Sequence, residues 1–171
     1  SMTGKHHRTM GDLSIQYDRR FGSATGTLGI RNNYTSDFGY NPGFSGGVSY
    51  AISDSVLVRA KTGYSVNVPN FGQLYQTSHG SIDQTKGNPD LKEEKVWSYD
   101  IGIEYTLGKE RFFQTTLFRS DTRDLISTER GTDLIYRPVN IGSAWRHGIE
   151  FTAKYRWDTG LTTEASCIVQ R

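Results

Sequence analysis

The chain has 171 residues, of which 35% are hydrophobic and 12% aromatic, and its formal net charge is +2. The length suits one ordinary domain, and the nearly balanced, interleaved charges give no support for nucleic-acid binding. A single cysteine, Cys167, excludes an internal disulfide and a cysteine-based zinc site. No apolar run is long enough for a transmembrane helix.

Residues 1–9 carry no strand pattern, and Ser1-Met2 is typical of a cloning scar ahead of a flexible terminus. From residue 10 onward, apolar and polar residues alternate with a period of two, which is typical of strands rather than helices. The pattern predicts eight strands, at 12–20, 24–34, 44–52, 55–64, 94–106, 111–120, 144–157 and 160–170. Residues 10–171 are therefore predicted to be an all-β, antiparallel up-and-down unit.

The alternation is strongest in the predicted strands 94–106 and 144–157. Within 96–105, Trp97, Tyr99 and Ile101 share one face, and polar residues occupy the other. Strands of soluble sheets average about five or six residues, whereas a tilted strand that crosses a bilayer needs about nine to eleven. The mean hydropathy of −0.59 agrees with a transmembrane barrel, because lipid-facing and lumen-facing residues alternate along its strands.

The connections between the predicted strands alternate in length. Short turns rich in Gly, Asp or Ser occupy 21–23, 53–55, 107–110 and 158–160, and longer stretches occupy 35–43, 65–92 and 121–143. An outer-membrane barrel has short turns at one rim and long loops at the other. The sequence therefore predicts a transmembrane β-barrel fragment embedded in a lipid bilayer.

Charged residues on the predicted inner faces would line a watery lumen. They are Arg59, Lys61, Asp100, Glu104, Glu150, Lys154 and Arg156. Enzyme activity has no candidate residues, since no phosphate-binding loop, nucleophile elbow or zinc-type histidine spacing occurs. No cofactor or metal site is predicted, and the four histidines, His6, His7, His79 and His147, are interpreted as solvated or interfacial side chains.

The segment 87–94 has the sequence GNPDLKEE. By its chemistry it is a turn that leads into a strand, because Asn-Pro favours a turn. It resembles the G-N-P-x-L-K-P-E signature of TonB-dependent outer-membrane receptors, with Glu93 in place of the family's proline. Three further stretches resemble that family in the same order along the chain: VPNFGQLY at 68–75, FRSDTRDLI at 118–126, and YRPVNIG at 136–142 followed by HGIE at 147–150.

The resemblance implies a barrel of about 22 strands around a plug domain. Such receptors lie in the outer membrane of Gram-negative bacteria and import ferric siderophores or cobalamin-like ligands with energy from TonB. This chain would supply later barrel strands, with the plug and the TonB-contacting segment elsewhere in the parent. Ligand contacts are expected from external loops, and the candidates are Tyr34, Phe38, Tyr40, Phe71, Gln73 and Tyr75.

Two alternative interpretations remain open at this point. A self-contained eight-stranded outer-membrane protein would adhere or anchor rather than transport, and eight strands are enough to close a small barrel. A soluble β-sandwich binding module would also contain short alternating strands.

Overall fold

The computed structural model describes residues 4–78 and 84–171. These residues form eight antiparallel strands in one sheet, and neighbouring strands in the sheet are consecutive in the chain. The strands are β1 (Met10–Phe21), β2 (Ala24–Thr35), β3 (Gly39–Ala51), β4 (Val56–Asn67), β5 (Glu94–Leu107), β6 (Arg111–Arg130), β7 (Tyr136–Arg156) and β8 (Thr162–Gln170). A helix, α1 (Phe71–Tyr75), lies between β4 and β5. Among the described residues, no helix has the length and apolar character needed to cross a membrane.

Apolar residues from β1 to β8 project from the same side of the sheet, which we call the apolar face. The ladders pair Ile15 with Ile30 and Ile30 with Phe44. Phe44 pairs in turn with Tyr64, and Tyr64 with Trp97. Because directly opposed residues share a face, the register aligns these side chains in one row across five strands. The opposite side, which we call the polar face, carries mainly charged, hydroxyl and glycine residues.

The sheet has no hydrophobic core of its own. Leu74 and Leu91 are the buried hydrophobic residues of the described part of the chain, and both lie between β4 and β5. Residues of the apolar face stay exposed instead, with Leu13 at 67% and Ile101 at 58% of full exposure. A contiguous apolar surface of this extent marks a contact with a partner or a membrane rather than with water.

Aromatic side chains form two bands across the apolar face. The first lies toward the long-connection end and contains Tyr34, Tyr40, Phe44, Tyr64, Trp97, Tyr99 and Trp145. The second lies toward the short-turn end and contains Phe21, Tyr50, Tyr105, Tyr155 and Trp157. Trp145 and Tyr155 stand ten residues apart on β7, which is about 33 Å along a strand. At a tilt of about 40° that length spans about 25 Å, the height of the apolar band of outer-membrane barrels.

The sheet is open. Strands β1 and β8 form its edges, and in the described part of the chain no ladder joins them. A sandwich requires a second sheet, whereas all eight described strands belong to one. The predicted fold class, an antiparallel up-and-down barrel fragment of eight strands, is thereby confirmed. The self-contained barrel, which needs β1 to pair with β8, is not the observed arrangement.

Connections differ at the two ends of the sheet. The short turns include Gly22 and Gly108, whose φ angles of 61° and 65° are readily adopted only by glycine. At the opposite end the connections span 36–38, 68–93 and 131–135. Only the second of these is long, so the predicted loops 35–43 and 121–143 are too long.

Those loop predictions are wrong because three strands continue past their predicted ends. Strand β3 begins at Gly39 rather than at residue 44, β6 runs to Arg130 rather than 120, and β7 begins at Tyr136 rather than 144. The ladder between β6 and β7 extends from Arg111 paired with Tyr155 to Arg130 paired with Tyr136. The ladder between β5 and β6 ends at Lys95 paired with Arg123, and beyond that pair β6 has only β7 as a ladder partner in the described part of the chain. Residues 86–92 pack against this two-stranded ribbon through hydrogen bonds to Tyr136, Pro138 and Asn140. Its two sides are therefore not divided into an apolar and a polar face, and the periodicity that reveals the other strands is missing there.

Candidate functional site

The long-connection end of the sheet carries the candidate functional site. The connections 36–38 and 131–135 lie at this end, together with the described parts of 68–93 and the segment 4–9 that precedes β1. Residues 79–83 fall outside the described part of the chain, and with them the interpretation of His79.

Helix α1 is fixed by a capping box. The Asn70 side chain accepts a hydrogen bond from the Gln73 backbone N–H, and the Gln73 side chain accepts one from the Asn70 N–H, both at 2.9 Å. Leu74 is buried on the inner side of the helix. Gln73, a predicted ligand contact, is therefore engaged in holding the helix start.

Arg8 joins three of the segments at this end. Its guanidinium donates hydrogen bonds to the Asp37 carboxylate at 2.6 and 2.8 Å and to the Pro69 carbonyl oxygen at 2.9 Å. The same group lies over the rings of Phe38 and Phe71, at 5.5 and 4.9 Å from their centroids. Its side chain is only 10% exposed. The segment predicted to be a flexible terminus is thus packed against the loops. Arg8 can be buried there because Asp37 and the Pro69 carbonyl supply the partners that a buried charge requires.

His6 continues the same cluster. Its ring stacks on Tyr75 with centroids 3.6 Å apart and an interplanar angle of 1°. Phe71 and Tyr75 contact each other at 5.9 Å. The structure therefore brings the predicted ligand residues Phe38, Phe71 and Tyr75 together around Arg8 and His6. We call these five residues the aromatic–arginine cluster.

The segment 87–94 joins α1 to the long hairpin that β6 and β7 form, and we call this segment the clamp. The Gly87 N–H donates to the Gln76 carbonyl at 2.7 Å, and the Asn88 side chain donates to the Pro138 carbonyl at 3.0 Å. A Cβ on Gly87 would lie 2.6 Å from backbone atoms of residues 74–76, so only glycine fits. Leu91 is buried at 4% exposure. The motif whose chemistry indicated only a turn also anchors the long loop.

Two side chains complete this clamp. Asn140 accepts a hydrogen bond from the Lys92 N–H at 2.7 Å and donates to the carbonyl oxygens of Lys92 and Asp124 at 3.0 and 2.7 Å. The Glu94 carboxylate accepts a hydrogen bond from the Ile126 N–H at 2.8 Å. Asp124 has a φ of 55°, which interrupts the ladder where Asn140 binds. Side chains here satisfy backbone groups that no strand partner reaches.

Tyr34 and Tyr40 lie apart from the aromatic–arginine cluster. They are paired in the ladder between β2 and β3, and their rings contact each other at 5.0 Å. The register places them on the apolar face, one row beyond Asn32 and Pro42. Both had been expected near an external loop, but they belong to strands and to the first aromatic band.

The seven predicted lumen-facing residues share the polar face. Arg59 forms an ion pair with Glu104 at 2.8 Å and donates a hydrogen bond to the Thr116 hydroxyl at 3.2 Å. Lys61 stands opposite Asp100 in the ladder between β4 and β5. Glu150 stands opposite Thr116, Lys154 pairs with Glu164 at 3.2 Å, and Arg156 stands opposite Thr162. In the described part of the chain, no group of three or more His, Cys, Asp or Glu residues is placed to hold a metal.

Two carboxylates at the loop end have lowered pKa values. Hydrogen bonds from Arg137, at 2.5 and 2.9 Å, lower the pKa of Asp133 to about 2. Partial burial works to raise the pKa of Asp37, but the hydrogen bonds and charge of Arg8 outweigh it and hold that pKa below its usual value. Both groups therefore stay ionised well into acidic solution.

Sequence reasoning missed Arg8, Asn88 and Asn140 as organising residues. Arg8 lies 61 residues from Pro69 in the chain, and no local pattern connects them. Asn88 did carry a signal, because it stands in the turn motif, although its partner lies 50 residues away on β7. Residue type alone does not identify such distant backbone partners.

An open antiparallel sheet with one apolar face, two aromatic bands and unequal ends defines the wall of an outer-membrane-type β-barrel. Residues 3–167 match the family model described as "TonB dependent receptor-like, beta-barrel". The chain belongs to this family of TonB-dependent receptor barrels.

Solved structures of receptors share the fold. The siderophore receptor PirA from Pseudomonas aeruginosa is 22% identical with a TM-score of 0.76, covering 95% of this chain and 34% of that one. The ferric enterobactin receptor mutant Q482A from the same organism is 22% identical with a TM-score of 0.76, and the match covers 96% of this chain and 27% of that one. The FrpB iron transporter from Neisseria meningitidis is 20% identical with a TM-score of 0.68, and the match covers 96% of this chain and 26% of that one. This chain therefore spans about a quarter to a third of those proteins.

Proposed function

We propose that this chain is a barrel segment of an outer-membrane receptor for TonB-dependent uptake of a ferric siderophore. The observation that carries the proposal is the family match over residues 3–167. Similar folds in a siderophore receptor and an iron transporter support the ligand class. The parent protein would lie in the outer membrane of a Gram-negative bacterium.

The geometry of the sheet supports the membrane part of this proposal. The exposed apolar face would contact lipid, and the two aromatic bands would lie at the two interfaces. The polar face, with Arg59, Glu104 and Thr116 joined across three strands, would face the lumen and the parent's plug domain. TonB would engage the plug rather than this segment.

The loop end supports ligand capture outside the cell. The aromatic–arginine cluster gathers rings from three separate segments around the buried Arg8 guanidinium. In this role, Phe71 and Tyr75 would contact the ligand, and Gln73 and Arg8 would hold the loop that presents them. Tyr34 and Tyr40 would contact lipid at the interface.

Uptake by intact cells tests the proposal. In the source bacterium, an in-frame deletion of the coding region for residues 84–94 removes the clamp, and cells are assayed for radiolabelled ferric siderophore and radiolabelled cobalamin. We expect siderophore uptake to fall to the background level and cobalamin uptake to be unchanged. Loss of cobalamin uptake alone would mean that the ligand is cobalamin-like rather than a ferric siderophore. Unchanged uptake of both ligands would contradict the transport function.

A control separates folding from transport. Membrane fractions of the deletion strain are compared with those of a strain carrying Gly26→Ala, a position where a Cβ meets nothing within 4 Å. The Gly26→Ala receptor should keep both membrane level and uptake. Residues 1–171 supplied alone should restore no uptake, because the plug and the TonB contact are assigned to other parts of the parent.

A further inference from the structure

A group of four charged residues interrupts the apolar face near the first aromatic band. Lys95 on β5 and Arg119, Asp121 and Arg123 on β6 project from this face, as the register with Tyr99, Trp97 and Lys95 requires. Elsewhere on this face, Arg19 and Arg111 lie at the short-turn end, and Arg171 lies opposite His147 just after β8. We call the group of four the basic rim patch.

The aromatic band fixes the depth of this patch. Arg119 is level with Tyr99, Asp121 with Trp97, and Arg123 with Lys95 one row farther toward the loops. Tryptophan and tyrosine belts lie at the level of lipid headgroups. The patch therefore brackets the zone in which lipid phosphates lie.

Internal pairing leaves a positive charge in the patch. Arg119 donates from Nε and Nη2 to both oxygens of Asp121, at 2.8 to 3.1 Å, so these two charges compensate each other. Lys95 Nζ lies 3.9 Å from an Asp124 oxygen, beyond hydrogen-bond distance. Arg123 makes no side-chain hydrogen bond or ion pair with any residue of the described ranges. The patch together with Asp124 contains three cations, Lys95, Arg119 and Arg123, and two carboxylates, so its net charge is +1.

An uncompensated guanidinium at the edge of an apolar surface has a specific chemical partner. Arginine binds phosphate oxygens through two parallel N–H donors, and its aliphatic stem can lie along the apolar surface while the head reaches the interface. Lys95 is directly opposed to Arg123, so both cations can reach one anion. The neighbouring rings of Trp97 and Tyr99 would contact the acyl chains of the same molecule.

We propose that the basic rim patch binds the phosphate headgroup of an anionic lipid in the outer leaflet. Arg123 and Lys95 would hold the phosphate, and the Arg119–Asp121 pair would fix the surface beside it. This inference rests on the membrane placement given in the proposed function. It adds a lipid site on the outer surface of the barrel, separate from the loop end and the lumen.

Quenching of tryptophan fluorescence by brominated lipid tests the site. The parent receptor that contains this chain is prepared with every tryptophan except Trp97 replaced by phenylalanine, Trp145 and Trp157 among them. It is refolded into phosphatidylcholine vesicles in which the minor brominated lipid is either phosphatidylglycerol or phosphatidylcholine. One net charge near an anionic surface gives about a fivefold higher relative association constant for phosphatidylglycerol. We expect that preference, and Arg123→Gln should remove it.

Arg111→Gln is the matched control, because it makes the same substitution on the same strand and face at the opposite end. It should leave the preference at Trp97 unchanged. Inorganic phosphate added at constant ionic strength should also leave it unchanged. Displacement by inorganic phosphate would mean a free-anion site and would overturn the lipid assignment.

The remaining outcomes separate this inference from the proposed function. Equal quenching by both brominated lipids would overturn the lipid site while leaving the membrane placement intact. No quenching by either lipid would contradict the membrane placement itself and the site with it.

Discussion

In the sheet, strands β1 to β8 are joined by continuous backbone ladders, and almost all large apolar side chains remain exposed on one face. At the loop end, the segment 68–93 has little ladder and contains both buried hydrophobic residues of the described chain, Leu74 and Leu91. There the side chains of Asn70, Asn88 and Asn140 hold the backbone. The comparison shows two ways in which the backbone N–H and C=O groups obtain hydrogen-bond partners. The sheet does so through repeated backbone ladders and leaves its apolar face exposed, whereas the loop end does so through individual side chains.

Ile103→Arg in the sheet should give the largest effect. Ile103 lies on the apolar face between the two aromatic bands and is 46% exposed. A charge near the middle of the bilayer destabilises such a strand by about 2–4 kcal/mol. The free energy of unfolding from vesicles, measured by urea titration, checks this.

The neighbouring residue supplies the control for that variant. Glu104 lies on the polar face and pairs with Arg59. Glu104→Gln keeps a hydrogen-bond acceptor there and should cost much less than Ile103→Arg in vesicles. Equal losses for the two variants would contradict the assigned faces.

Gly87→Ala should damage the loop end without affecting the sheet. Its Cβ would meet backbone atoms at 2.6 Å, and such overpacking costs about 1–3 kcal/mol. Hydrogen exchange of the Gln76 and Asn88 amides should become faster, and exchange in β5 should stay unchanged. Gly26→Ala, with open space around the new Cβ, should leave both regions unchanged. Slower exchange at Asn88 in the Gly87→Ala variant would speak against the clamp.

Asn140→Ala should have a smaller effect, of about 1 kcal/mol in total, because two of its three hydrogen bonds are exposed and water can replace them. The backbone groups of Lys92 and Asp124 would lose their partner, and the Lys92 amide should exchange faster. Asn32→Ala is the matched comparison in the sheet, because the Asn32 Oδ1 atom has no hydrogen-bond partner among the described residues. A larger loss from Asn32→Ala would reverse the contrast between the two regions.

The smallest effect concerns the tip of the long hairpin. Arg137 lowers the pKa of Asp133 to about 2. A lowered pKa means that this contribution to stability is present above the usual carboxyl pKa near 3.8 and is lost as the pH falls through about 2. In an NMR titration, the Asp133 midpoint should rise toward 3.8 in Arg137→Gln. An unchanged midpoint would show that the ion pair does not form in solution.

The same contrast explains how much of the structure could be predicted from sequence. Strand β5 was predicted almost to the residue, because apolar and polar side chains alternate along its whole length. The ribbon at 125–130 and 136–141 was predicted as a loop, since residues 86–92 pack against it and its sequence does not alternate between apolar and polar residues. The family resemblance depended on the segment 87–94, whose turn chemistry alone gave no function.

The loop end was predicted only in part. Phe38, Phe71 and Tyr75 were selected as aromatic loop residues, and the structure brings them together. Arg8, which joins them, was placed in a flexible terminus, because its partners are distant in the chain. Long-range side-chain contacts leave no periodic trace, so a single sequence does not reveal them.

Cysteine accessibility along β5 tests most directly the central claim that one face of the sheet contacts lipid and the other water. The parent receptor, with Cys167→Ser and without any other cysteine, is refolded into vesicles. Cysteine replaces one residue at a time at Ser98, Tyr99, Asp100, Ile101, Ile103 or Glu104, and the rate of labelling by a water-soluble maleimide is measured. We expect fast labelling at Ser98, Asp100 and Glu104 and slow labelling at Tyr99, Ile101 and Ile103. Similar rates at all six positions, or the opposite alternation, would contradict the account.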